Sequence, residues 1–496
     1  MRILFLDIDS CRPDHLGCYG YHRNTSPNID QIASQGVRFN NCYVPDAPCL
    51  PSRAAMMTGR FGIHSGIVDH AWDCAEPFSE GRARWFRSRY ADSNWIASLR
   101  QAGLFCASVS AFSQRHSAFW FLANFNETYD TGHRGAETAD QVSPLALDWL
   151  RRKAKTDNWF LHVQFWDPHT PYRVPEALGN PFANDPTPSW LTEEVRQEHW
   201  KGFGPECAQE TGEFHATVDE IIPHPHSAFP RQPLTMDSEK AVRAMFDGYD
   251  GGIRNVDTHI GYLLDELRAQ GVLEDTAIVI TSDHGESLGE NNVYMAHMTA
   301  DNPVVRVPMI VRWPGLTHPN RVHEGLVYNL DVTSTVSGLL GQERNPLWDG
   351  RPFTDDFKRN AEHGREYLVC SNLAGSCQRT VRFDRYHYIR SYHDGYRPVP
   401  DVQLFDLATD YHLTRNLAES RPDLVWKAEH YLAEWQTEMM RTATYPSDPL
   451  WTVMNAGGAE HTRGYLPAYC KHLRNIKRTD AAEYLEKKHP SELIAK

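Results

Sequence analysis

Three apolar runs of strand length each break off abruptly into acids or histidine. Ile3-Leu4-Phe5-Leu6 is followed by Asp7-Ile8-Asp9. Trp159 to Phe165 is followed by Trp166-Asp167-Pro168-His169, and Ala277 to Ile280 by Thr281-Ser282-Asp283-His284-Gly285. A continuous apolar run, unlike an alternating one, marks a strand buried on both faces, which is the habit of parallel sheets covered by helices. In such sheets the carboxyl ends of the strands open on a crevice. The polar residues at these ends are therefore expected to converge.

Helical patterns lie between the runs. Ser26-Pro27-Asn28 opens a short helix with Ile29, Ile32 and Ala33 on one face. Across about 240–270, Met245, Tyr249, Ile253, Val256, Ile260, Leu263 and Leu267 recur at spacings of four and three. Gly248, Gly251 and Gly252 would be unfavourable in an exposed helix, so close packing is expected there. Met309 to Val311 reads as a further strand. The expected fold is α/β, with a large mixed, mostly parallel sheet sandwiched by helices.

Past about 345 the pattern changes. Short β-like runs at Glu366–Val369 and Tyr386–Ile389 precede a helical stretch from about Pro422 to Met440. The expected division is a large N-terminal α/β domain over 1–345, with a loop-rich insertion at 170–235, and a smaller C-terminal α+β domain over 346–450. The tail, 451–496, is expected to dock or to mediate a homo-oligomer.

Charge and cysteine content set limits on function. With 50 basic and 64 acidic residues, the formal charge is −14, which argues against a nucleic-acid binder held by bulk positive charge. No apolar run approaches the roughly 18 residues of a membrane-spanning helix, so no membrane partner is expected. The opening MRILFLDID lacks the order of a signal peptide, and the expected location is cytoplasmic. The 10 cysteines form no CxxC pair, so neither a disulfide scaffold nor a structural zinc site is indicated.

One cysteine differs in its setting. Cys49-Leu50-Pro51-Ser52-Arg53 runs through Thr58-Gly59-Arg60, and a helix beginning near Pro51 and ending at Gly59 is expected. Cys49 would sit at the helix N-terminus, where free N–H groups attract anions and lower a thiol pKa. Arg53, one turn on, could reach the same anion. Asp9 and Asp283 at strand ends, with His284 beside, form an oxygen-rich donor set suited to a hard or borderline cation.

Cys-x-Pro-Ser-Arg resembles the signature of the type I, formylglycine-dependent sulfatases of the alkaline phosphatase superfamily. Leu6 to Gly20, Ser26 to Asp30, Thr281 to Glu286, Val307 to Gly315, and Leu404 to Leu407 with Asn416 to Ala418 resemble further segments of that family in the same order. The resemblance implies a sulfatase whose Cys49 is converted by a formylglycine-generating enzyme to an aldehyde that hydrates to a gem-diol. It implies a divalent metal on Asp9, Asp283, His284 and residue 49, with Ca²⁺ first and Mn²⁺, Mg²⁺ or Zn²⁺ as alternatives. Cys49, Arg53, His169, His297 and His116 would be catalytic, and Arg115, His64 and His70 would bind substrate. The expected substrate is a sulfate monoester, on a saccharide or a small molecule.

Two departures keep a second reading open. Ser10 stands where many of these enzymes carry a second aspartate, and His284 where many carry asparagine. Both resemble the related phosphonate monoester and phosphodiester hydrolases. A non-catalytic binder of sulfated ligands is a third reading. Trp72, Trp120 and Trp166 are expected to pack in the core.

Overall fold

The computed structural model describes residues 1–79, 89–211, 214–216, 221–223, 231–359 and 361–493. Its main sheet is built from β1 (Arg2–Ile8), β2 (Val37–Phe39), β3 (Phe105–Val109), β4 (Glu127–Tyr129), β5 (Trp159–Phe165), β6 (Thr276–Thr281), β7 (Met309–Arg312) and β8 (Arg321–His323). The strands lie in the order β8-β2-β7-β6-β1-β5-β3-β4. All run parallel except β7. The three apolar runs are thus β6, β1 and β5, side by side at the centre, and this is the expected α/β class.

Alternate residues of the central strands bury on opposite faces. Leu4, Leu6 and Ile8, with Leu161, Val163, Ile278 and Ile280, pack in a cluster with apolar residues of α3 (Ala139–Lys153) and α4 (Glu239–Ala269). Ile3, Phe5, Phe160 and Val279 belong to a second cluster that includes Leu50, Ala54, Ala55 and Met57 of α2 (Cys49–Thr58). Each such side chain contributes about 1.5–3 kcal/mol on burial. The continuous apolar runs follow from this double coverage. The short opening helix is α1 (Pro27–Ser34), which buries Ile29, Ile32 and Ala33 as its spacing predicts.

The glycines of α4 act as contact points. A Cβ at Gly252 would stand 2.8 Å from Pro168 Cα, and one at Gly248 would stand 2.6 Å from Tyr172 Cδ2. The loop that carries His169 therefore lies directly on the helix, and at these two positions only glycine leaves room.

A second sheet holds β9 (Tyr367–Asn372), β10 (Cys377–Phe383), β11 (Tyr386–His393) and β12 (Val402–Asp406), each antiparallel to its neighbour. Asp46–Ala47 adds a parallel strand to β9, and Ser371 N–H donates to Pro45 O (2.8 Å). The approach to Cys49 is thus anchored by the C-terminal sheet. Helix α5 (Pro422–Thr442) follows, and then α6 (Pro449–Asn455), α7 (Leu466–Asn475) and α8 (Thr479–Lys488). The tail docks on its own chain: Leu466, Tyr469, Cys470, Leu473 and Leu485 bury with Tyr396. Within 170–235 the described residues are loops apart from the helix Glu193–Lys201, a short turn at Glu176–Leu178 and the hairpin Phe214–Ala216 with Ile221–Pro223. No described helix is long and apolar enough to cross a membrane.

Candidate active site

The site lies where the three central strands end. Asp9 follows β1 directly, and its N–H donates to Phe165 O (2.9 Å), tying the ends of β1 and β5 together. Ser10 takes a left-handed φ of 56°. That turn lets its N–H donate to Asp283 Oδ1 (3.2 Å) while its Oγ donates to Asp9 Oδ1 (2.9 Å). Across from them α2 begins at Cys49 itself, two residues earlier than the position of Pro51 suggests, because Pro48 serves as its N-cap. Every residue of α2 is buried.

Cys49 Sγ lies 3.1 Å from His284 Nε2. His284 Nδ1 faces the Gly285 carbonyl at 2.7 Å, so Nδ1 carries the hydrogen and Nε2 offers a lone pair toward the cluster. One ligand atom from each of Asp9, Cys49, Asp283 and His284 falls within 4.8 Å of the others. The four residues expected at the metal are therefore gathered in one place. A second group, Cys49 with His169 and His297, meets the same distance limit.

Arg53 does something the sequence did not announce. Its guanidinium turns from the open side of the site to three carboxylates: Nε to Asp7 Oδ2 (2.7 Å), Nη2 to Asp9 Oδ2 (3.0 Å) and Nη1 to Asp283 Oδ2 (2.6 Å). The guanidinium, expected to reach a bound anion, contacts these acids in this structure. Asp7, near the end of β1 before Asp9, pairs with Arg53 and lies 3.6 Å from His162 Nε2. Phe112 and Trp166 cover the guanidinium, with ring centroids at 5.2 and 5.5 Å.

The charges do not balance within the protein. Three fully buried carboxylates face one guanidinium. Arg53 holds Asp7 and Asp9 below their ordinary values despite burial, while burial and the neighbouring acids push Asp283 well up. Asp9 Oδ2 has no aligned hydrogen-bond donor. A divalent cation would supply the missing charge, and two carboxylates with one imidazole are a suitable donor set. The residues present therefore fit a divalent metal.

Burial, with Asp9 and Asp283 nearby, pushes the Cys49 thiol far above its ordinary range. The lowered thiol pKa expected at a helix N-terminus is overturned, because desolvation and two carboxylates outweigh the helix end. An unmodified Cys49 would be a protonated thiol and a poor nucleophile.

The histidines form a rim. His297 stacks near His284 (4.4 Å between centroids) and His169 (4.9 Å). His297 Nδ1 lies 3.2 Å from Glu286 Oε2, and His169 Nδ1 faces the Thr170 carbonyl. One nitrogen of each ring also lies within 4.8 Å of Cys49 Sγ. Glu286, quoted in the sequence only as part of a segment, is the residue the motif reading missed; its adjacency to Asp283-His284 was the available signal. Burial, then His297 and Arg115, keep His169 neutral. Trp166 stands 5.8 Å from His169 and 6.5 Å from His116, so His116 lies one ring further out. Burial and Arg115 push His116 down to about 3. Arg115 lies over Trp166 (5.8 Å), and His70 lies 5.1 Å from His116.

His64 is not brought to this site. Its Nδ1 pairs with Asp349 (2.8 Å) and its Nε2 meets Met439 O (2.9 Å), where α5 packs on the N-terminal part. A half-buried carboxylate and a carbonyl use both of its nitrogens there. The tryptophans also divide: Trp166 is buried as expected, but Trp72 is 64% exposed.

Comparison with known proteins gives the following. A family model described as Sulfatase matches residues 2–342. A choline-sulfatase of Rhizobium meliloti is 26% identical over 526 residues, covering 92% of this chain and 92% of that protein. A structure solved with its substrate D-glucosamine-2-N,6-O-disulfate superposes with a TM-score of 0.69 at 18% identity, covering 89% of this chain and 98% of that one. A phosphonate monoester hydrolase from Silicibacter pomeroyi superposes with a TM-score of 0.65 at 19% identity, covering 90% and 96%.

Proposed function

The chain belongs to the sulfatase family and is a sulfuric ester hydrolase, and from that premise we propose how its own residues carry the reaction and on what class of substrate. The observation that carries the reading is the meeting of Cys49 with Asp9, Asp283 and His284 on one side and with His169 and His297 on the other.

A sulfate monoester resists attack because its oxygens are anionic. A catalyst must offset that charge, present a nucleophile and protonate the leaving oxygen. A divalent cation on Asp9, Asp283, His284 and residue 49, with Ca²⁺ first among the candidates, would supply Lewis-acid charge opposite the sulfate oxygens. Arg53 holds the acids in place, and Arg115, whose charge reaches Cys49, His116 and His169, faces the sulfate.

The nucleophile is residue 49 after a maturation enzyme has converted the thiol to formylglycine. One hydroxyl of the hydrated aldehyde attacks sulfur, and His297 protonates the departing alcohol, with neutral His169 beside it. Loss of the proton from the second hydroxyl then expels sulfate and restores the aldehyde.

We place the substrate among sulfated carbohydrates. The structural relative with bound D-glucosamine disulfate supports this. The choline-sulfatase relative makes a small alkyl sulfate the comparison substrate. A second reading, hydrolysis of phosphonate monoesters or phosphodiesters, has Ser10, His284 and the Silicibacter pomeroyi relative behind it.

Matched kinetics decide between them. Matured enzyme is assayed on an aryl sulfate and on a phosphodiester with the same leaving group, and on a panel of sulfated mono- and oligosaccharides. The expected result is a higher kcat/KM for the sulfate and sulfate release from a saccharide. A higher kcat/KM for the phosphodiester would establish the second reading.

A further inference from the structure

Away from the catalytic cluster, the tail brings two side chains against His70. One ligand atom from each of His70, Glu460 and His461 lies within 4.8 Å of the others. Glu460 Oε2 stands 3.3 Å from His461 Nε2, and the His70 and His461 rings are 5.8 Å apart. His70 Nε2 is buried, with no hydrogen-bond partner among the described residues. We propose that His70, Glu460 and His461 form a second metal site, of the zinc type, that pins the tail to the rim of the active site.

The frame around these three side chains is built to hold them. Asp69 is fully buried and accepts the His70 N–H at Oδ1 (2.7 Å) and the Glu460 N–H at Oδ2 (3.2 Å). One carboxylate therefore sets the relative position of two segments far apart in sequence. The His461 N–H is fixed in turn on the Ala374 carbonyl (3.1 Å). Such supporting contacts orient metal ligands in known sites. Arg463 Nη2 lies 3.9 Å from Asp69 and its guanidinium covers Trp72 (5.4 Å), so it tethers the loop without entering the triad.

A similar-looking group shows the contrast. In His393, His489 and Glu492, the His489 nitrogens meet Asp394 (3.0 Å) and Glu492 (3.1 Å), and Tyr396 donates to Glu492 (2.7 Å). Its polar atoms already have partners. The His70 group has an imidazole nitrogen without one.

Two imidazoles and one carboxylate suit Zn²⁺, with a coordination position left for water or a ligand. The catalytic cluster is richer in oxygen and favours harder ions. The inference does not depend on the reading of the catalytic reaction.

The test uses full-length protein in saturating Ca²⁺, dialysed against Zn²⁺, with bound zinc counted per chain. Wild type is compared with Glu460→Gln/His461→Ala and, as a second variant, with His70→Gln. Each variant is expected to bind one Zn²⁺ fewer and to lose the rise in Tm that Zn²⁺ gives wild type, with its zinc-free Tm unchanged. Equal zinc content and equal Zn²⁺-induced Tm shifts in wild type and both variants would overturn the proposal. A zinc that both variants keep and only Asp283→Asn loses would overturn it too, because that ion belongs to the catalytic set.

Discussion

At the scale of the residue, Arg53 has the most consequential surroundings. A buried guanidinium among three buried carboxylates is a fixed counter-charge, and the acids cannot remain ionised together without it. Removing one partner of a buried ion pair strands the others, at a cost of about 3–5 kcal/mol. Arg53→Ala is therefore expected to lower the stability of the metal-free protein by about that amount, read by urea unfolding. A change below about 0.5 kcal/mol, the level typical of surface substitutions, would show that the guanidinium is dispensable. The motif Cys-x-Pro-Ser-Arg made Arg53 visible in the sequence, but not its direction. That direction depends on Asp7, Asp9 and Asp283, which come from two different strands. Cys49 was legible as a special cysteine for the same reason. The upward push on its thiol was not, because burial by the whole sheet edge is not a local property.

At the scale of the element, the central strands were legible because both faces are buried and their apolar runs are unbroken. The strands Glu127–Tyr129 and Arg321–His323 were not, since three residues give no periodicity. The tail was expected to dock or to mediate an oligomer, and its helices pack on their own chain around Tyr396. Their last turn is held by His489, whose two nitrogens meet Asp394 and Glu492. These carboxylates outweigh burial and raise its pKa to about 9 from an ordinary value of about 6.5. The folded value lies above the unfolded one, so this contribution is complete below about pH 6.5 and is lost as pH rises through about 9. Hydrogen exchange in α8 (Thr479–Lys488) is expected to quicken across that window, after correction for intrinsic rates. In His489→Gln the rise should disappear. An unchanged pH profile in the variant would assign the effect to another group.

At the scale of the whole molecule, the −14 charge is not spread evenly in its meaning. Part of it, Asp7, Asp9 and Asp283, is buried against one arginine, an arrangement that a divalent cation would balance. Metal at about 100 times its Kd would add roughly 2.7 kcal/mol to the folded state. Chelation is therefore expected to lower Tm by several degrees and abolish activity, with both restored by a divalent ion. A Tm insensitive to chelator and metal alike would contradict the charge argument. The fold places three strand ends and one helix start around a single point, and residue 49 stands at that point. The most direct measurement is inorganic sulfate released from a sulfated saccharide panel by matured wild type beside Cys49→Ala. The account predicts release by wild type and a loss of about 10⁴-fold or more in the variant, the scale on which an activated nucleophile's removal acts. Sulfate release at comparable rates by both proteins would contradict it.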